Sequence, residues 1–343
     1  MNHNKKLIYV GFAFRHHKET QAGYHHIKDY LNYDKIIDCQ WEHEWLNDPS
    51  KSILEKLFRK IHNRLFGHGY TFTIIKCILL AIFRKNQIFH FIYVENSYKW
   101  LHHFKGKTNK IVCTYHQPYE IIDTRDFWKS DLSYIDKAII LAKKDLSLFK
   151  LGTGKENVYF IPHGINTDFY TPNVDRKREY KILMVGNWLR DFEFASSIFE
   201  TLLANCLKLT ITIVTNKSNF SHFKSNERLH LLSGISDEEL GDLYCTTKCL
   251  FLPLQAFAAN NAILEAAATG CPIVIASDKV DTSYFERDLV DFLPLQKELV
   301  YEHLLKILNS EFDEKKSENL RKTTVENFSW QIIANRTKQL LLN

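Results

Sequence analysis

The sequence predicts an α/β fold of two doubly wound, Rossmann-like domains, and three observations carry that expectation. Short β-rich runs alternate with helix-like segments along the whole chain, the pattern of parallel strands joined by crossover helices. A polar stretch over 171–180, with Pro172, mixed charge and no apolar periodicity, divides the runs into two series and reads as a linker. The chain has 343 residues, 45% of them hydrophobic, enough for two cores of about 150 residues each. Ligands of such sheets lie beyond the carboxyl ends of the strands, so the expected site is an interdomain cleft.

In the first series KLIYVGF (6–12) is a strand, residues 23–33 form the first long helix, and KIIDCQW (35–41) is the next strand. QIFHFIYV (87–94), KIVCTYH (110–116), KAIILA (137–142) and VYFIPHG (158–164) follow. The second series holds KILMVG (181–186), LTITIVT (209–215), RLHLL (228–232), CLFLPL (249–254) and PIVIAS (272–277), each β-rich and bounded by turn residues. No internal repeat or low-complexity tract interrupts them.

The seven cysteines are scattered, and CTTKC (245–249) lacks zinc-knuckle spacing, so plain thiols in a reducing compartment are expected. The start MNHNKKLIYVGF is cut short by Gly11 and Arg15, against a signal peptide. The run Ile74 to Phe83 contains Lys76 and is too short to span a bilayer. A soluble, cytoplasmic chain is therefore expected. The net charge of +5 is uneven: residues 51–110 hold 12 Lys+Arg against 2 Asp+Glu. Within them SILEKLFRKIHNRLF (52–66) spaces Ile53, Leu54, Leu57, Phe58, Ile61, Leu65 and Phe66 as one helical stripe, with the basic residues largely elsewhere. Such a segment is either an ordinary surface helix or a dock for an anionic membrane. No aromatic-rich basic platform points to nucleic acid.

One carboxylate stands out. From Cys249 to Ser277 the only Asp, Glu, Lys or Arg is Glu265, and a buried, unpaired carboxylate is costly. Its helix, AILEAAATG, would be capped by Asn260 or Asn261 and stopped by Gly270. A helix N-terminus after a strand suits a phosphate. Glu265, about one turn further in, is placed for ribose hydroxyls, as an acceptor-only group. The expected partner of this lone carboxylate is thus a ligand.

At these residues the chain resembles glycosyltransferase family 4, a retaining family with the two-domain GT-B fold. NNAILEAAATGCPIV (260–274) resembles its donor-binding motif, IPHGINTDFYTP (161–172) its interdomain segment, and KILMVGNWLRDFE (181–193) its glycine strand and loop. SGISDEELGDLYCTTKCLFLPL (233–254) resembles the stretch from the base-binding loop onward, and TYHQP (114–118) the strand ending in a site histidine. NFSWQIIANRTKQLL (327–341) resembles the closing helix that returns to the first domain. The implied domains are 1–172 for the acceptor, 173–328 for the nucleotide sugar, and the helix of 329–343. One departure is Phe257, where the family has an earlier glutamate against the donor sugar. Ala259, Asn260 and Asn261 would take over that contact.

The resemblance implies a glycosyltransferase that moves a sugar from a UDP- or GDP-type nucleotide-sugar donor to a glycan, lipid-linked or other hydroxyl acceptor. Retention, and independence of any metal or other cofactor, are implied with it. Glu265 would hold the ribose, and Gly234 and Ile235 the base. Arg190, Asn187, the helix end at Asn260, Asn261 and Ala262, and the turn of Gly23 and Tyr24 would meet the diphosphate. His116 would position the donor sugar, whereas His163 is read as mainly structural. Two alternatives stay open: an inactive GT-B binding subunit, for which Phe257 speaks, and a nucleotide-sugar epimerase on the same fold.

Overall fold

A computed structural model describes residues 5–47, 52–66, 70–94, 100–123, 132–154, 156–173, 175–256, 259–279 and 281–343. The chain forms two compact units: Met1–Glu19, Gly23–His163 and Ile333–Asn343 make the first, Thr20–Ala22 and Gly164–Ile332 the second.

The first unit holds a six-stranded parallel sheet of β1 (Lys6–Gly11), β2 (Lys35–Asp38), β3 (Gln87–Phe91), β4 (Lys110–Tyr115), β5 (Lys137–Ile140) and β6 (Val158–Phe160), ordered β2-β1-β3-β4-β5-β6. Its central strands are buried along nearly their whole length, as both-face burial under helices requires. The helices are α1 (Ile27–Tyr30), α2 (Gln40–Asn47), α3 (Ile53–Phe66), α4 (Thr71–Phe83), α5 (Leu101–Phe104), α6 (Tyr119–Asp123) and α7 (Leu146–Thr153). Buried Glu42 on α2 accepts from the Phe72 and Thr73 N–H groups at 2.8 and 2.9 Å, so its charge meets open amides at the start of α4.

The helix expected over 23–33 is mostly absent. A single 3₁₀ turn, Tyr24–His26, runs into the four-residue α1. The Tyr24 N–H donates to the Tyr93 hydroxyl at 3.0 Å, and the Asp34 N–H to Leu7 O at 2.9 Å. The chain leaves helical geometry at Leu31, with φ −106° and ψ 113°, and is in β2 by Lys35.

The second unit repeats the architecture with β7 (Lys181–Val185), β8 (Thr210–Val214), β9 (Leu229–Leu232), β10 (Cys249–Pro253), β11 (Ile273–Ala276) and β12 (Asp291–Leu293), all parallel and ordered β12-β11-β10-β7-β8-β9. Its helices are α8 (Phe192–Asn205), α9 (Asp237–Thr246), α10 (Asn261–Ala268), α11 (Lys297–Asn309), α12 (Glu314–Phe328) and α13 (Trp330–Leu342); by its residues α13 starts in the second unit and ends in the first. Strand order reverses between β7 and β10, the switch point at which such sheets open a crevice. All seven cysteines are free thiols. No helix among the described residues is long and apolar enough to cross a membrane.

Candidate functional site

The loops that leave β7 and β10 carry the second unit's site residues. After β7 the chain turns at Gly186, with φ +111°, where an added Cβ would lie 2.5 Å from the Arg190 Nη2 atom. Glycine there is what lets the guanidinium lie against the backbone. Arg190 is buried and not a surface partner of Asp191, whose carboxylate caps α8 by accepting from the Phe194 N–H. Its Nε donates to Val185 O at 2.9 Å, Nη1 to Trp188 O at 3.0 Å, and Nη2 to Asn260 Oδ1 at 3.2 Å. Burial pulls its pKa down to about 10, and the charge of Glu265 opposes that. A guanidinium has five N–H donors, so two of Arg190's remain beyond these three bonds.

Asn260 is the N-cap of α10, but its side chain makes no capping bond; its oxygen serves Arg190 instead. The first amides of α10, at Asn261 and Ala262, therefore keep the open state of any uncapped helix start. Ala259, Asn260 and Asn261 are half-buried and Ala262 is buried. The two ends of α10 are treated oppositely. At the carbonyl end Arg321 donates to Ala268 O at 2.8 Å, and Arg178 and Ser317 to Gly270 O at 3.0 and 2.7 Å, which suits the helix dipole. At the amide end Arg190 adds positive charge where the dipole is already positive. An anion at that end would be stabilised by both.

Glu265 is 3% exposed, and its Oε2 accepts from the Tyr244 hydroxyl of α9 at 2.8 Å. The carboxylate is thus not unpaired, contrary to the expectation from its apolar surroundings: the partner lies 21 residues earlier, on the neighbouring helix. Among the described residues no donor reaches Oε1. Burial pushes the Glu265 pKa up to about 7, while the Tyr244 bond and the Arg190 charge pull it back. Burial, and then the nearby Glu265 charge, raise Tyr244 well above the ordinary tyrosine range.

Asn187 is committed to the scaffold: its Oδ1 accepts from Thr215 Oγ1 at 2.8 Å and from the Asn216 N–H at 2.6 Å. Gly234 is exposed with φ +71°, and Ile235 is half-buried. Ser236, next in the turn, closes a capping box with Glu239 at the start of α9. Phe257 lies outside the described residues.

In the first unit, His116 follows β4 and its Nε2 donates to Ile92 O at 2.7 Å, which fixes the tautomer. Burial and neighbouring His163 hold its pKa down at about 3, so the ring is neutral. It packs on Tyr93 and Tyr24 at centroid distances of 4.5 and 5.0 Å. Tyr24 is fully buried and its hydroxyl is turned to Thr114 and Thr337; this side chain is a core group, not a lining one. Gly23 has φ +108°, and an added Cβ would lie 2.8 Å from the His25 Nδ1 atom. His163 is buried beside Tyr24. Sequence reasoning missed Tyr244 and Tyr93. Tyr244 had a signal in the spacing of Leu240, Leu243 and Tyr244 on one face of α9; Tyr93 had none. Among the described residues, no three His, Cys, Asp or Glu side chains gather as a metal site.

No protein-family model matches the chain, and no curated protein matches it. Solved structures do. The glycosyltransferase from Rickettsia africae ESF-5 superposes with a TM-score of 0.65 at 14% identity, over 98% of each chain. Anabaena Alr3699/HepE, solved with UDP and glucose, gives 0.66 at 11% identity over 98% of this chain and 99% of that one. TarM gives 0.64 at 11% identity over 78% of this chain; the match spans 58% of TarM, less than two thirds of its length. These likenesses show the fold, α/β of the GT-B type.

Proposed function

We propose that the protein is a hexosyltransferase-type glycosyltransferase (EC 2.4) whose second unit holds the nucleotide of a nucleotide-sugar donor. The observation that carries this reading is Arg190 at the uncapped amide end of α10, joined to it through Asn260 at 3.2 Å. Two sources of positive potential meet at a sheet switch point, and an anion relieves both. A diphosphate there would take the Asn261 and Ala262 amides and the remaining Arg190 N–H groups. Glu265 Oε1 would accept from the ribose, with Tyr244 fixing the carboxylate through Oε2. The Gly234–Ile235 turn would meet the base.

In the reaction the bond from the anomeric carbon to the diphosphate oxygen breaks, an acceptor hydroxyl oxygen bonds to that carbon, and the hydroxyl proton passes to the departing diphosphate oxygen. Charge grows on the leaving diphosphate, and preorganised donors there lower the barrier. Arg190 and α10 fill that role without a metal in this reading. His116, a neutral N–H donor to Ile92 O, is assigned to the transferred sugar as a positioning group and not as a base. Gly23 contributes backbone only. Retention of configuration follows from the resemblance to family 4. HepE's structure with UDP and glucose supports a UDP-type donor, with a GDP type next. The acceptor is a glycan or lipid-linked hydroxyl, and in the lipid-linked case the protein works at the cytoplasmic face of a membrane.

The test is release of nucleoside diphosphate from a panel of UDP- and GDP-sugars, with and without glycan acceptors. Release from one sugar nucleotide, lost in Arg190→Met, is expected. Nucleotide binding without release from any donor would mean a non-catalytic binding protein.

A further inference from the structure

An amphipathic surface helix turns its apolar stripe to the core; α3 does the reverse. Ile53, Leu54, Leu57, Phe58 and Ile61 all face solvent, Ile53 at 87% and Phe58 at 68% exposure. The helix is held from its opposite side. Arg59 Nη1 donates to Leu46 O at 2.9 Å, and the buried His62 ring packs against Trp45 and Phe72 at 5.4 and 6.3 Å between centroids. Helix α4 adds a second outward stripe of Phe72, Ile75, Leu79 and Ile82, while Ile74, Cys77 and Ala81 on its other face enter the core.

Cations border this apolar surface. Lys56, Lys60 and Arg64, four residues apart, run along one flank of α3, and all three are exposed. Lys76, Arg84 and Lys85 are exposed on and just after α4. The one acid on these two helices, Glu55, is occupied by Ser52 at 3.0 Å. A second copy of the chain on this face would bring like charges together. An anionic lipid surface accepts both features, with apolar side chains at the acyl boundary and cations among the headgroups.

We propose that α3 and α4 form the face by which this protein docks on anionic phospholipid. The inference deepens the lipid-linked part of the proposed function, yet it is independent of the donor: vesicle binding can fail while nucleotide binding succeeds, and the reverse.

The experiment is co-sedimentation of the full chain with vesicles of phosphatidylcholine alone and of phosphatidylcholine with phosphatidylglycerol in equal parts. Binding to the anionic vesicles is expected, weakening as salt rises. The double variant Leu57→Ser, Phe58→Ser should weaken it by at least about ten-fold. Lys56→Ala and Lys60→Ala should each weaken it by about five-fold. All four side chains are exposed, so thermal unfolding should not change, and a folded variant is the condition for each comparison. The proposal is overturned if the wild-type chain stays in the supernatant, if it binds neutral vesicles as well as anionic ones, or if neither set of variants changes binding. It is equally overturned if the apolar variant abolishes self-association in sedimentation velocity while vesicle binding is absent, since a second copy would then cover the face.

Discussion

Replacing Glu265 by Gln should stabilise the second unit at alkaline pH. The folded pKa is about 7 against an ordinary 4.5, and burial is the leading cause. Because the folded-state pKa is raised, folding is favoured below 4.5, where the carboxyl is neutral in both states. That advantage is lost as pH rises through about 7, where the folded state holds a buried charge. The gap corresponds to about 3 kcal/mol. A glutamine keeps an oxygen for the Tyr244 hydroxyl and carries no charge, so it escapes this cost. Wild type and variant should match near pH 4.5 and diverge by up to about 3 kcal/mol above about pH 8. For a unit of this size that is a rise of about 6–12 °C in Tm for the variant. Differential scanning calorimetry across that range reads it directly. A variant that is less stable by the same amount at every pH would refute the reasoning, because the carboxylate would then be stabilising when charged. A residue kept at such a cost to stability is one whose charge serves a ligand.

Tyr244→Phe removes the one hydroxyl that reaches Glu265 among the described residues and should cost about 1.5–3 kcal/mol at alkaline pH, and less below 4.5, in chemical denaturation. Arg190→Lys cannot serve Val185, Trp188 and Asn260 together. It should weaken a nucleoside diphosphate by at least about ten-fold while leaving the parent nucleoside unchanged, as calorimetric titration of the two will show. Gly164→Ala would place a Cβ 2.2 Å from Trp330 Cε3 in a site with no room to give, and should cost about 2–3 kcal/mol by denaturant melts.

The legible part of this fold was the set of strands buried on both faces. Runs such as CLFLPL and KIVCTYH are apolar without alternation, as central parallel strands under two helix layers must be, and eleven of the twelve strands stand on the β-rich runs read from the sequence. The twelfth, β12, is three residues at a sheet edge, and its half-polar sequence carries no period. The helix over 23–33 stops at Leu31 because the chain there turns extended to bring Asp34 to Leu7 O and Lys35 into β2, pairings that are distant in sequence. In the site, the isolation of Glu265 in an alanine-rich run showed that it was special, but not that Tyr244 would meet it. Arg190 was visible as a cation after a glycine turn; its burial, and its bond to the cap of α10, depend on strand order that no local pattern states. For α3 the periodicity showed a stripe without showing which way it would face.

On the proposed function the amide end of α10, with Arg190 and Glu265, receives a nucleoside diphosphate. Thermal stability of the purified protein with UDP, GDP, ADP, CMP and dTDP in turn tests it most directly. A ligand at about a hundred times its dissociation constant adds roughly 2.7 kcal/mol, several degrees for a unit of this size. Such a shift is expected with one diphosphate, UDP foremost, and should fall to about half or less in Glu265→Ala at the same ligand concentration, where affinity should fall by at least about 1.5 kcal/mol. No shift with any nucleotide, or a shift that Glu265→Ala leaves intact, would contradict it.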